Sequence, residues 1–250
     1  MLISFEGIPG VGKTTQTALL AESLRSDGLR VAYLPDLLTL PNGKLGTRLF
    51  ELFASSGDPF MRHGDVVTET LLAGALRAEI LATHIEPALA AGQIVIEDRG
   101  ADTMYSYSLA TLRAHHTLTT DAGIAWLRSC GALAGREADL TILLSLPPDR
   151  AHKRTAERVG IPWNAEQKVF LGHVARAYDE LAARSPRIVA VDAADLTVEQ
   201  THAAVREIVS RAVREPYGFD STSSGDKARI SAGSVLADLY AGRQPHDRTD

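Results

Sequence analysis

Along the chain, short segments that are apolar throughout alternate with longer stretches in which apolar residues recur every third or fourth position. The short segments are Leu2–Glu6 and residues 30–34, 94–97, 140–146 and 188–191, and Gly, Pro or Asp stands at most of their ends. Runs of that length and kind predict buried strands. The spacing between them predicts helices over Lys13–Ser26, Lys44–Ala54, 66–90, 102–114, 121–134, 150–158, 166–183 and 198–213. Residues 37–43 and 55–65 read as loops. Strands with no polar side need cover on both faces, so the alternation predicts an α/β fold with a parallel sheet between two helical layers. The pattern lapses near residue 215. Residues 215–229, rich in Gly, Ser and Asp, read as a linker, and 231–241 carry one weakly amphipathic stretch (Val235, Leu236, Leu239, Tyr240). The expected organisation is a domain over 1–214 and a linker and tail over 215–250, the tail being either docked or disordered.

Composition narrows the function classes. The 250 residues are 45% apolar and 23% charged, ordinary values for a globular chain. A net charge of −5 argues against a general affinity for nucleic acid or anionic membrane, so any phosphate binding must be local. The single cysteine, Cys130, cannot form an internal disulfide and suits a reducing compartment, and its apolar helical surroundings suit buried filler. No signal-peptide pattern opens the chain, and no uncharged apolar run approaches the roughly 18 residues of a membrane span. These features predict a cytoplasmic protein without nucleic-acid or membrane partners. The pair His115 and His116 has no ligand cluster at metal-binding spacing and reads as a polar helix end.

The candidate chemistry starts where the first strand runs into the first helix. Gly7, Gly12, Lys13 and Thr14 fill the pattern G-x-x-x-x-G-K-[ST] in the strand–loop–helix setting that it requires. Glycines let main-chain N–H groups turn inward around phosphate oxygens, and the helix beyond adds its positive end. Gly10, Val11, Gly12, Lys13, Thr14 and Thr15 are therefore expected to hold a nucleoside triphosphate, with Lys13 on its terminal phosphates and Thr14 on a magnesium ion. Asp98 and Arg99 follow the strand at 94–97, at the sheet edge where α/β folds bind ligands. There Asp98 is placed to hold the magnesium ion through water, and Arg99 to bridge donor and acceptor phosphates. Arg150, Arg154 and Arg158, spaced i, i+4, i+8, form a positive stripe with Lys153 beside it. A lid over about 150–165 would bring these cations onto transferring phosphates; a solvated basic face is the plainer alternative.

With these pieces in place the chain resembles the thymidylate kinase family. The resemblance rests on Phe5, Glu6 and Gly7 entering the loop and Gly12 to Gln16 leaving it, on Ile85 to Leu89 with Gly92 before the strand that ends in Asp98 and Arg99, and on Ala138 to Leu144 running into Pro147 and the basic helix. It implies a five-stranded P-loop fold, a lid, a homodimer, and transfer of the γ-phosphoryl group of magnesium-ATP to a nucleoside monophosphate. By position it implies Lys13 and Thr14 at phosphate and metal, Arg99 at the acceptor phosphate with Asp98 as the acidic residue before it, Arg77 on the thymine edge, Arg154 and Arg158 in the lid, and Asp192 with Ala193 at adenine.

The acceptor half departs from that family. Pro9 replaces an acidic residue, Ala73 a stacking phenylalanine, Ser108 (after Tyr107) a base-reading glutamine and Gly100 an aromatic, while Pro35 and Asp36 stand where an R-E-P-G-G-T stretch is usual. Losing a stacking ring and a hydrogen-bonding reader weakens binding by roughly 3 kcal/mol or more. Phe60, Tyr105 or Tyr107 are candidates for a replacement ring. Thymidylate is the default acceptor and another phosphorylated small molecule the competitor. Transfer to a hydroxyl would need a carboxylate base, for which Glu6 and Asp36 are the candidates. A nucleotide-binding switch that transfers nothing is the alternative of another class. Trp163 belongs to the lid or just after it, covering a nucleotide or capping the next helix.

Overall fold

Strand β1 (Leu2–Glu6) runs through the middle of a five-stranded sheet with all of its residues buried. In this computed structural model, which describes residues 1–36, 44–62, 64–115 and 119–214, β3 (Ile94–Asp98) lies on one side of it and β4 (Leu140–Ser145) on the other. β2 (Val31–Leu34) and β5 (Ile188–Asp192) form the edges, giving the order β2-β3-β1-β4-β5 with every pairing parallel. The expected loop at 37–43, His116 and the tail at 215–250 lie outside the described residues.

Strands buried on both faces must be apolar throughout, and Leu2, Ile3, Phe5, Ile96 and Ile142 are fully buried. Ser4 and Thr141 are buried polar residues inside the strands, and the charged exceptions gather at one rim. The register sets Phe5 beside Asp98 on one side and Ile142 on the other, so the carboxyl ends of the central strands finish together, with Glu6, Glu97 and Asp98 all buried. A parallel sheet binds ligands outside that rim.

Helices α1 (Lys13–Ser26), α2 (Lys44–Ala54) and α3 (Val66–Ile80) follow the apolar spacing. The helix expected over 66–90 is not uniform: α3 passes through a π turn (Leu81–Ile85) into α4 (Glu86–Ala90). Pro87 explains the change. It has no N–H for the Thr83 carbonyl, and the ladder widens so that the Glu86 N–H reaches back to Leu81. α5 (Ala101–His115), α6 (Thr120–Ala134) and α8 (Ala165–Ala182) cover one side of the sheet, with Cys130 half-buried on α6. α7 (Pro148–Val159) starts on the proline expected only to stop β4, because a first helical residue needs no N–H donor. α9 (Val198–Arg214) packs on α1. No helix among the described residues is long and apolar enough to cross a membrane.

Candidate active site

The turn from β1 into α1 has positive φ at Gly7, Gly10 and Gly12. At Gly10 glycine is also a matter of space: a Cβ would stand 2.2 Å from the Ala151 carbonyl oxygen, so the loop lies directly against α7. No side chain caps α1, which leaves its first N–H groups facing the loop. The buried Lys13 ammonium spans the turn, donating to the carbonyls of Gly7 (2.9 Å) and Ile8 (3.0 Å). Burial, helped by the nearby Arg99 charge, pulls the Lys13 pKa down to about 7 against the opposing carboxylates of Asp98, Glu6 and Asp36.

Thr14 Oγ1 donates to Asp98 Oδ2 at 2.5 Å, and Asp98 is 2% exposed. Its other oxygen, Oδ1, is buried with no hydrogen-bond partner among the described residues. An orphaned carboxylate oxygen is costly unless something fills its lone pair. A hard divalent cation taking oxygen ligands fits this pair of residues.

Arg99 directly follows β3 and holds φ at +75°, a left-handed conformation that costs a non-glycine residue about 1–3 kcal/mol. Its N–H donates to the Phe5 carbonyl, and its guanidinium pairs with Asp36 at 3.5 Å. Strain held in place by the sheet and spent on aiming a cation is a mark of a functional position.

Around these groups lie two cavities. The first, about 450 Å³, is lined by the loop from Gly10 to Thr15 with Arg99, Arg154 and Arg158. Arg150 is not brought there. Each four-residue step along a helix advances about 40° around its axis, so an i, i+4, i+8 stripe wraps away from one line. Arg150 turns instead to the Ala194 carbonyl and the Asp195 carboxylate. Asp192 also stays off the cavity wall, its side chain accepting the Ala194 N–H at 3.0 Å, whereas its neighbour Ala193 lines the wall. Gln16, the last residue of the loop motif, joins the wall, and the rest of it was not among the expected contacts: Leu196, Thr197, Val198 and Thr201. One signal for it exists in the sequence. Thr197 and Gln200 exchange side-chain-to-backbone hydrogen bonds, the reciprocal cap that T-x-x-Q announces at a helix start.

The second cavity, about 360 Å³, is largely apolar, and Asp36, Ala73, Arg77, Arg99, Tyr107 and Ser108, the residues expected at the acceptor, all line it. Phe60, Trp163 and Phe170 add rings, with centroids 5.1 Å apart for Phe60–Trp163 and 5.2 Å for Phe60–Phe170. Phe60 and Tyr107 thus put aromatic rings at the cavity that Ala73 does not supply, whereas Tyr105 packs against Gly131 on α6, away from it. Trp163 belongs to this wall, not to that of the first cavity. Arg62 braces the group, gripping Asp58 through Nε (3.0 Å) and Nη2 (2.9 Å) and lying 4.5 Å over the Phe170 ring. Ser108 accepts from Thr70 at 2.8 Å.

Glu6 lines neither cavity. It is fully buried and accepts from Ser4 (2.9 Å), the Gly100 N–H (2.7 Å), Thr103 (2.5 Å) and Tyr178 (3.0 Å). Burial, then the Asp102 charge, raises its pKa. So saturated a carboxylate anchors the start of α5 and is poorly placed to take a substrate proton.

The thymidylate kinase family model matches residues 5–205. The chain is 36% identical over 211 residues to the thymidylate kinase of Synechococcus sp. (strain JA-3-3Ab), covering 80% of this chain and 90% of that one. It is 35% identical over 211 residues to the thymidylate kinase of Leifsonia xyli subsp. xyli, covering 82% and 92%. To that of Caldanaerobacter subterraneus subsp. tengcongensis it is 32% identical over 219 residues, covering 85% and 94%. With a P-loop opening a five-stranded parallel sheet and two cavities at its rim, the chain belongs to the thymidylate kinase family and is a nucleoside monophosphate kinase.

Proposed function

We propose that this enzyme transfers the γ-phosphoryl group of magnesium-bound ATP to the 5′-phosphate of a nucleoside monophosphate, with thymidylate as the default acceptor. One observation carries the reading: the loop cavity and the apolar cavity share Pro9, Asp36, Arg99 and Arg158, so a donor in one and an acceptor in the other meet between two arginines. The acceptor phosphate oxygen attacks the γ-phosphorus, the bond to the β–γ bridging oxygen breaks, and ADP leaves. That phosphate is already ionised near neutral pH, so no carboxylate base is needed, in keeping with the engaged state of Glu6. Lys13 and the loop amides would hold the donor's β- and γ-phosphates, and Arg99 would hold the acceptor phosphate in line. Arg154 and Arg158, on a lid over about 150–165, would cover the charge as it develops. Thr14 and Asp98 would hold magnesium, which when bound neutralises charge on the donor phosphates.

A homodimer in the cytoplasm belongs to the same proposal. Leu52 on α2 and Val67 and Leu71 on α3 are 57%, 43% and 56% exposed, an apolar surface that a second copy would cover. Ala73 in the cavity wall favours a second reading, in which the same chemistry acts on another phosphorylated small molecule. Steady-state ADP release with a panel of nucleoside monophosphates decides. Acceleration by one or more supports the proposal, and Lys13→Ala should abolish it while leaving the melting transition in place. Full turnover in Lys13→Ala, or rates that no acceptor raises, would refute it.

A further inference from the structure

Arg150 stays off the first cavity, yet it is tied to a piece of that cavity's wall. Its Nη1 donates to the Ala194 carbonyl and lies 3.4 Å from Asp195 Oδ1. Asp195 is 92% exposed, and an ion pair so open to water is worth little, which leaves the carbonyl as the partner that counts. Ala194 lies in the stretch that leads from β5 into α9. That stretch gives Ala193, Leu196, Thr197, Val198 and Thr201 to the first cavity and, among the described residues, none to the second. The cavities share Pro9, Asp36, Arg99 and Arg158, so a donor whose γ-phosphate lies there has its base on the unshared wall. Leu196 and Val198 are exposed apolar side chains on that wall, which suits the flat face of a purine.

The wall is pinned at two carbonyls from two helices. Gln16 Nε2, on α1, donates to the Val198 carbonyl at 2.9 Å, and Arg150, on α7, holds the Ala194 carbonyl. The residue after Arg150 touches the phosphate loop: the Ala151 carbonyl oxygen stands 2.2 Å from where a Gly10 Cβ would lie. One turn of α7 therefore meets the phosphate loop and the base wall at adjacent residues.

We propose that Arg150 is a positioning residue for the donor: by holding the Ala194 carbonyl it fixes the wall under the ATP base to α7, the helix that carries Arg154 and Arg158. The basic stripe then divides its work, with Arg154 and Arg158 at the phosphates and Arg150 behind the base. Without Arg150 the grip on the base loosens, while the loop amides and Lys13 keep their grip on the phosphates.

The proposal rests on the kinase reading, and its test separates the two. Amide hydrogen exchange of the nucleotide-free protein is compared between wild type and Arg150→Ala. Exchange in peptides covering 193–198 should rise about fivefold, one lost hydrogen bond to a charged donor, with the phosphate loop unmoved. Calorimetry with magnesium and a non-hydrolysable ATP analogue should show the affinity falling by about the same factor. Inorganic tripolyphosphate, which has no base, should bind both proteins equally. Unchanged exchange over 193–198 overturns the proposal and leaves the kinase reading intact. So does an unchanged affinity for the ATP analogue, or an equal fall for both ligands, which would make Arg150 a cation that serves the phosphates. A wild type that binds neither ligand overturns the kinase reading, and the proposal falls with it.

Discussion

Lys13 is a cation held at the edge of neutrality. Its pKa falls from 10.5 to about 7 on folding, so between those values the folded protein carries fewer protons than the unfolded chain. The sign follows: this group weakens the fold at and below pH 7, and the cost fades as pH rises toward 10.5. A polyphosphate beside the ammonium reverses the shift, so ATP binding should draw in a proton. Calorimetry at about pH 8.5 in two buffers of different ionisation enthalpy should show uptake approaching one proton. No uptake, or the same uptake in Lys13→Ala, would contradict the placement. Residues of this kind were legible because a local spacing defines them: Lys13, Thr14, Asp98 and Arg99 each stand at a fixed offset from a strand end. Glu97 and Tyr178 were not. The first pairs with Arg77, 20 residues away, and the second donates to Glu6, 172 residues away, and no local pattern encodes such a contact. Tyr178→Phe removes one of the donors around a buried carboxylate and should cost about 1–3 kcal/mol in urea unfolding.

Among the elements, helices were read well where apolar periodicity ran unbroken, as in α1, and less well where one residue changes the ladder. Pro87 sits inside an apolar pattern that continues past it, so only the count of hydrogen-bond donors, not the periodicity, predicts the π turn. The basic helix shows the opposite error of a straight stripe drawn on a surface that twists, with Arg150 leaving the line that Arg154 and Arg158 keep. α8 starts at a reciprocal cap, with Gln167 N–H to Asn164 Oδ1 at 2.9 Å and Asn164 N–H to Gln167 Oε1 at 2.8 Å. That cap follows Trp163 directly and so fixes where the cavity wall ends and the helix begins. Asn164→Ala should destabilise the protein by about 1 kcal/mol in denaturant melts and raise the acceptor KM. An unaltered KM would detach the cap from the cavity.

For the whole molecule, the alternation of strands and helices foretold a covered parallel sheet of five strands, and the resemblance implied the same count. Arg99 was expected between donor and acceptor, but the walls that meet there were not legible, because they depend on α7 and the Phe60 loop folding over one sheet rim from distant parts of the chain. Phe5, fully buried in the central strand, ties this arrangement together, and Phe5→Ala should cost about 3–5 kcal/mol. The account stands or falls on what passes between the cavities. Phosphorus NMR of the enzyme with ATP, magnesium and thymidine 5′-monophosphate should show the γ-resonance of ATP declining as ADP and a new nucleoside diphosphate grow in equal amounts. Growth of ADP with only inorganic phosphate, with no acceptor in the panel gaining a phosphoryl group, would contradict it.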